Sequence, residues 1–153
     1  MKTIIKNENL TIYIYKYEIK ENLLDKQALE NYIKKIIINI KKRYIKNING
    51  FFTAKVYYNN KYGMILDIIK EDELDFFKDI LDIKVSINYE SDIFLSFEDY
   101  FLVKNKKIYY KDQNYYININ DLEDKEILKL SEFSKIIYGE ELKTIKTNLK
   151  HVL

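Results

Sequence analysis

Carboxylates, lysines and tyrosines are the side chains this sequence offers for chemistry, because it contains no cysteine and a single histidine, His151. Without thiols there is no disulfide, thiolate zinc site, iron–sulfur ligation or cysteine nucleophile. A histidine acting as base or ligand needs a partner to orient it, and His151 stands near the end of the chain, where order is usually least. The carboxylates are many but unhelpfully placed. Glu71, Asp72, Glu73 and Asp75 gather where a helix is expected to start, which suits the helix dipole; a cation site needs oxygen ligands converging round a turn. Asp121-Leu-Glu-Asp-Lys-Glu126 lacks the glycine and ligand spacing of a calcium loop. The three glycines, Gly50, Gly63 and Gly139, are too scattered for a phosphate-cradling loop or for an oxyanion hole made by closely approaching backbone. A pair of carboxylates can hydrolyse glycosides, but nothing in the spacing says which pair would converge. No catalytic residue, metal or cofactor is expected, and the chain reads as non-enzymatic.

Two patterns suit recognition instead. The stretch from Lys107 to Ile119 reads as a β-hairpin with Tyr109-Tyr110 on one arm and Tyr115-Tyr116 on the other. Alternation sends one ring of each pair to each face. One ring of each pair is expected in the core. The outward ring, apolar in its body and polar at its tip, suits contact with a partner, and Tyr110 and Tyr116 are the residues to test for it. The second pattern is the lysine-rich half of a helix, with Lys41, Lys42, Arg43 and Lys46. Clustered cations contact phosphates, and nearby tyrosines can stack on bases. The sequence pI of 8.4 lies below the value of about 9 usual for DNA-binding domains, so a solvated helix face accounts for these lysines more simply.

These residues must be held by folded elements. The 153 residues fit one domain or two very small ones, and 47% hydrophobic content with 15 Tyr and 8 Phe is enough for a core. The 33% charged residues nearly cancel, at +2, unlike a chain disordered by charge. Heavy use of Ile, Lys, Asn and Tyr without Pro or Trp looks like the product of a low-GC genome. The first nine residues lack the apolar run of a signal peptide. Apolar runs such as Ile36–Ile38 are far too short for a membrane span. A cytoplasmic protein with no membrane partner is expected.

Leu10 to Ile19 reads as a strand, with Leu10, Ile12 and Ile14 on one face and Tyr13, Tyr15 and Tyr17 on the other. Asp25 caps a helix carrying Leu29, Ile33, Ile36, Ile37, Ile40 and Tyr44 at helical spacing, running to about Ile48 and stopping at Asn49-Gly50. Strands Phe51–Tyr58 and Tyr62–Ile69 flank the turn Asn59-Asn60-Lys61. Residues 1–70 thus form a strand–helix–hairpin subdomain, one helix on three strands. Residues 71–153 form a second α+β subdomain, continuous with the first or separate from it. It has a short helix over Glu71–Leu81, strands over Ile83–Tyr89 and Ile93–Phe97, a turn or short helix at Glu98–Phe101, and then the tyrosine hairpin. A helix capped by Asp121 follows, carrying Leu122, Ile127, Leu128, Leu130, Phe133, Ile136 and Ile137 and ended by Gly139. Leu142, Ile145, Leu149 and Val152 share one face of a last helix. The fold class is α+β.

Three segments in order resemble the C-terminal domain of MecA-type adaptors of the Clp protease system. Phe94-Leu-Ser-Phe-Glu-Asp-Tyr-Phe101 is similar to that family's strand leading into a helix start. Ile108-Tyr-Tyr-Lys-Asp-Gln-Asn-Tyr-Tyr-Ile-Asn-Ile119 looks like its aromatic hairpin. Leu130-Ser-Glu-Phe-Ser-Lys-Ile-Ile137, with Glu141-Leu-Lys-Thr-Ile145, looks like its closing strand and terminal helix. The resemblance implies a strand over Leu130–Ile137, where periodicity predicts helix. It also implies a non-enzymatic role, in which one region binds a client or regulator and another docks on an unfoldase. Glu132 and Lys135 of the closing motif then join Tyr109, Tyr110, Tyr115 and Tyr116 as candidate partner-binding residues. The reading is a protein-binding adaptor or regulator whose partner is a client or unfoldase. The alternatives are a small nucleic-acid-binding module using Lys41, Lys42, Arg43 and Lys46, and an inhibitor of the phage or immunity type.

Overall fold

Alternating burial and helical spacing organise the first elements of the computed structural model, which describes residues 2–6, 9–19, 25–44, 50–71, 81–99, 106–147 and 149–152. Strand β1 (Lys2–Lys6) pairs antiparallel with β2 (Asn9–Tyr15), setting Lys2 opposite Tyr13 and Lys6 opposite Asn9. Leu10, Ile12 and Ile14 of β2 are buried, as period-two patterning requires. The strand ends at Tyr15 rather than Ile19, because a 3₁₀ turn over Lys16–Glu18 follows and the Glu18 carboxylate accepts the Tyr15 N–H at 3.3 Å. The Asp25 carboxylate accepts the Gln27 N–H at 3.2 Å where α1 (Lys26–Tyr44) starts, and Leu29, Ile33, Ile36, Ile37 and Ile40 form its buried stripe. The expected stop before Asn49 lies outside the described residues, as does all of the short helix expected over Glu71–Leu81 except its two ends.

β3 (Gly50–Asn59), β4 (Gly63–Lys70) and β5 (Leu81–Asn88) complete a five-stranded sheet in the order β1-β2-β4-β3-β5. Three strands were expected. β1 joins beside β2, and β5, expected as a strand of residues 71–153, joins beside β3. In the central strand β4, the consecutive residues Met64, Ile65 and Leu66 are all buried, so both faces of that strand are covered.

Two compact units divide the chain. One takes Met1–Val56 with Ile65–Ile87, the other Tyr57–Met64 with Asn88–Leu153. The turn of the β3–β4 hairpin thus belongs to the second unit. There the Asn59 side chain accepts the N–H groups of Lys61 and Tyr62 at 2.9 and 3.0 Å, which shapes the turn, and its amide donates to the Ser91 carbonyl at 2.9 Å.

The sheet of the second unit runs β10-β7-β8-β6-β9. Its strands are β6 (Phe94–Phe97), β7 (Ile108–Lys111), β8 (Asn114–Asn118), β9 (Lys135–Ile137) and β10 (Lys150–Val152), with α2 (Asp124–Ser131) before β9 and α3 (Gly139–Lys146) after it. The tyrosine hairpin turns on Asp112 and Gln113, whose φ angles of 49° and 67° are both positive, as a two-residue hairpin of the favoured hand demands.

Two expected helices are corrected. The first begins after Glu123, not at Asp121, and ends at Ser131. The Ser131 and Ser134 hydroxyls donate to the carbonyls of Ile127 and Leu130, which closes the helix. Lys135–Ile137 then pairs antiparallel with β6, Ile137 opposite Phe94. The strand implied by the resemblance therefore holds over its last three residues only, and Leu130 and Ser131 are helical. The last helix stops at Lys146. The Lys111 ammonium reaches the carbonyls of Thr144 and Ile145, each at 3.4 Å, and the chain returns as β10 with Val152 opposite Ile108. Gly139 opens α3 instead of ending a helix. The fold is α+β, two largely antiparallel sheets with three α-helices among the described residues.

Candidate partner-binding cleft

Register decides which tyrosines share a face. In the hairpin Tyr109 lies opposite Tyr116 and Tyr110 opposite Tyr115. Neighbouring β6 sets Ser96 beside Tyr116, and β9 sets Lys135 beside Ser96. One face therefore carries the lateral row Tyr109, Tyr116, Ser96, Lys135. The row next to it holds Phe94 and Ile137, register partners on β6 and β9. Leu142 of α3 packs with Phe94, Tyr116 and Ile137 into a core cluster, joined by Tyr109, Ile145 and Leu149. The opposite face is also buried: Leu95 and Ile117 are register partners and both are fully buried. On it Tyr110 and Tyr115 are half-buried, with ring centroids 5.1 Å apart, and Tyr115 stacks at 6.1 Å on Phe97.

An eight-residue helix is about 12 Å long, and α3 leaves the Ser96 row only partly covered. Ser96 is small between the larger Tyr116 and Lys135, so the sheet dips there. The result is a cleft of about 430 Å³ lined by Ser96, Phe97, Glu98, Asp99, Asn114, Tyr116, Phe133, Lys135, Ile137, Glu141 and Ile145. Its floor is buried and apolar: Ile137 and Tyr116 are 2% and 6% exposed. Phe133 stands at the edge with 69% of its surface exposed, a large apolar area to leave in water. Three carboxylates line the cleft against one ammonium. Lys135 is already engaged, its Nζ 2.6 Å from Glu141 Oε1. A smaller cleft of about 200 Å³ lies by Tyr57, Gly139 and Lys143, where the ion pairs Lys143–Glu140 and Lys146–Asp92 neutralise the flanking charges.

Of the expected partner-binding residues, Tyr116 and Lys135 line the cleft and Tyr109 sits beside Tyr116 in the core cluster. Tyr110 and Tyr115 are on the other face, and Glu132 is exposed next to Phe133. Tyr116, one of the two rings expected to point outward, is buried and forms part of the floor, so it tests the fold rather than a contact. Lys41, Lys42 and Arg43 fall in the last turn of α1, and Lys46 lies outside the described residues. His151 is in β10 opposite Tyr109. Sequence reasoning missed Phe133 by reading it as a core position of a continuous helix. The signal that marks it is the pair Ser131 and Ser134, two helix-closing hydroxyls bracketing a large aromatic. Glu98, Asp99 and Glu141 were missed as rim residues because Glu141 is far in the chain from the adjacent pair Glu98 and Asp99.

Among the described residues, no three His, Asp or Glu side chains gather as a metal-binding group, and no helix is long and apolar enough to cross a membrane. Comparison of the chain with protein-family models, with curated proteins and with solved structures finds no match.

Proposed function

We propose that this chain is a non-enzymatic protein-binding adaptor or regulator that engages its partner through the cleft beside Phe133. The observation that carries this reading is Phe133 itself, 69% exposed at the edge of a cleft with a buried apolar floor. Aromatic anchors next to water-excluding pockets dominate binding energy at protein interfaces. Delivery of clients to a Clp-type unfoldase is the finer form of the proposal. It rests on the resemblance of segments 94–101, 108–119 and 130–145 to MecA-type adaptors.

Affinity capture from the native cell, with wild type and Phe133→Asp side by side, tests it. Wild type recovers a protein that the variant loses, and the purified pair then reconstitutes with a Kd at least about tenfold lower for wild type, the ratio set by about 1.4 kcal/mol. Far-UV circular dichroism of the two coincides, since an exposed residue is replaced. Equal recovery by the folded variant sinks the cleft as the partner site. Recovery of nucleic acid in place of protein, with steep loss on adding salt, favours the alternative module.

A further inference from the structure

We propose that the cleft takes an arginine-bearing basic segment of the protein partner; this rests on the cleft's role as partner site and names the chemistry it selects. The argument is charge and shape together. Glu98 and Asp99 are exposed at one side of the cleft, directly after β6, and neither has an ion-pair partner among the described residues. Glu141 lies across from them on α3, with its one bridge to Lys135. An acidic segment entering here would meet three carboxylates. An apolar one would leave Glu98 and Asp99 unpaired as water is expelled, which is costly. An arginine side chain satisfies both parts: its methylene stem lies on the apolar floor of Tyr116 and Ile137 while its head stays at the carboxylates. The guanidinium also stacks on an aromatic face such as Phe133 and bonds a carboxylate bidentately, which a lysine ammonium does not. The cleft volume of about 430 Å³ is within the range of about 300–1,000 Å³ typical of sites that enclose a compact ligand, so it suits one or two side chains rather than a helix.

The test is fluorescence anisotropy with labelled hexapeptides of alternating leucine and arginine, of leucine and citrulline, and of leucine and glutamate. Citrulline keeps the shape of arginine without its charge. The arginine peptide binds the full chain, the citrulline peptide at least about tenfold more weakly, and the glutamate peptide not at all. Raising the salt from about 0.05 M to about 0.5 M weakens the arginine peptide further, because the rim carboxylates are exposed and screened. The double variant Glu98→Gln/Asp99→Asn loses about tenfold for the arginine peptide alone. Ser96→Leu, which fills the dip, abolishes binding of that peptide; Glu98→Gln/Asp99→Asn serves as the independent check should Ser96→Leu fail to fold. Equal binding of arginine and citrulline peptides, still lost with Phe133→Asp, overturns the basic-partner proposal and leaves the protein-binding reading standing. Arginine binding unaffected by the rim variants, or no peptide binding at all, also overturns it. Failure of both the peptides and the affinity capture removes the two together.

Discussion

Gly139 opens α3 with φ +59°, a conformation that side-chain-bearing residues adopt at a cost of about 1–2 kcal/mol. A Cβ there would also sit 3.1 Å from Tyr57 Oη and 3.2 Å from Tyr57 Cζ, inside ordinary contact. Tyr57 in turn meets Tyr138 edge-on, with centroids 5.0 Å apart, so the ring is not free to retreat. Gly139→Ala is expected to destabilise the second unit by about 2 kcal/mol, measured by urea unfolding. A double-mutant cycle with Tyr57→Phe, which removes the nearest atom, is expected to show coupling between the two sites. Additive effects would mean that the backbone conformation alone sets the cost. The glycine was legible in the sequence as a punctuation mark, but the sense was reversed. A glycine after an apolar helical run reads as a stop; here the run has already become β9, and the glycine admits the chain into the next helix.

At the scale of elements, the best-defined boundary is the start of α2. The Glu126 carboxylate accepts the Glu123 N–H at 3.1 Å and receives Lys106 Nζ at the same distance. The Glu123 N–H holds its pKa below the ordinary 4.5; burial opposes it, and the hydrogen bond from Lys106 with the charges of Lys106 and Lys61 adds to the lowering. A carboxyl with a lowered folded-state pKa stabilises the fold fully above its unfolded value, and that contribution disappears as pH falls through the lowered one. Glu126→Gln is therefore expected to melt about 2–4 °C below the parent at neutral pH. The gap should close on acidification below the ordinary carboxylate range, in thermal melts followed by circular dichroism. A gap that stays constant with pH would assign the effect to packing instead. Element ends show why pattern reading fails where it does. The spacing of Leu122, Ile127, Leu130, Phe133 and Ile137 is helical throughout, and only the serine hydroxyls and the vacant edge of β6 divide it into helix, turn and strand. Likewise Leu149 and Val152 continue a helical face that the edge of β7 converts to a strand. Ile145 and Leu149 still meet the same cluster, so burial was foreseen even where conformation was not.

At the scale of the molecule, strand position sets a gradient of stability within the first unit. β4 is central and buried on both faces, whereas β1 is an edge with Ile4 and Ile5 each 42% exposed. Amides of Ile65, Leu66 and Ile68 should exchange with solvent by the slowest opening of that unit, and those of β1 by local fraying several orders of magnitude faster. Hydrogen exchange read by NMR tests this, and equal protection of β1 and β4 would show the sheet opening as one block. The sequence by itself determined the α+β class, the buried stripe of α1 and the two hairpins, because these depend on periodicity and turn chemistry within a few residues. Tertiary structure alone decided that β1 and β5 widen the first sheet and that residues 135–137 and 150–152 become strands. It also decided that Phe133 and Glu141 share one cleft with Ser96, Glu98 and Asp99. Sheet edges and side-chain rows are made by segments far apart in the chain, so which residues become neighbours is a matter of register and packing that local pattern does not encode.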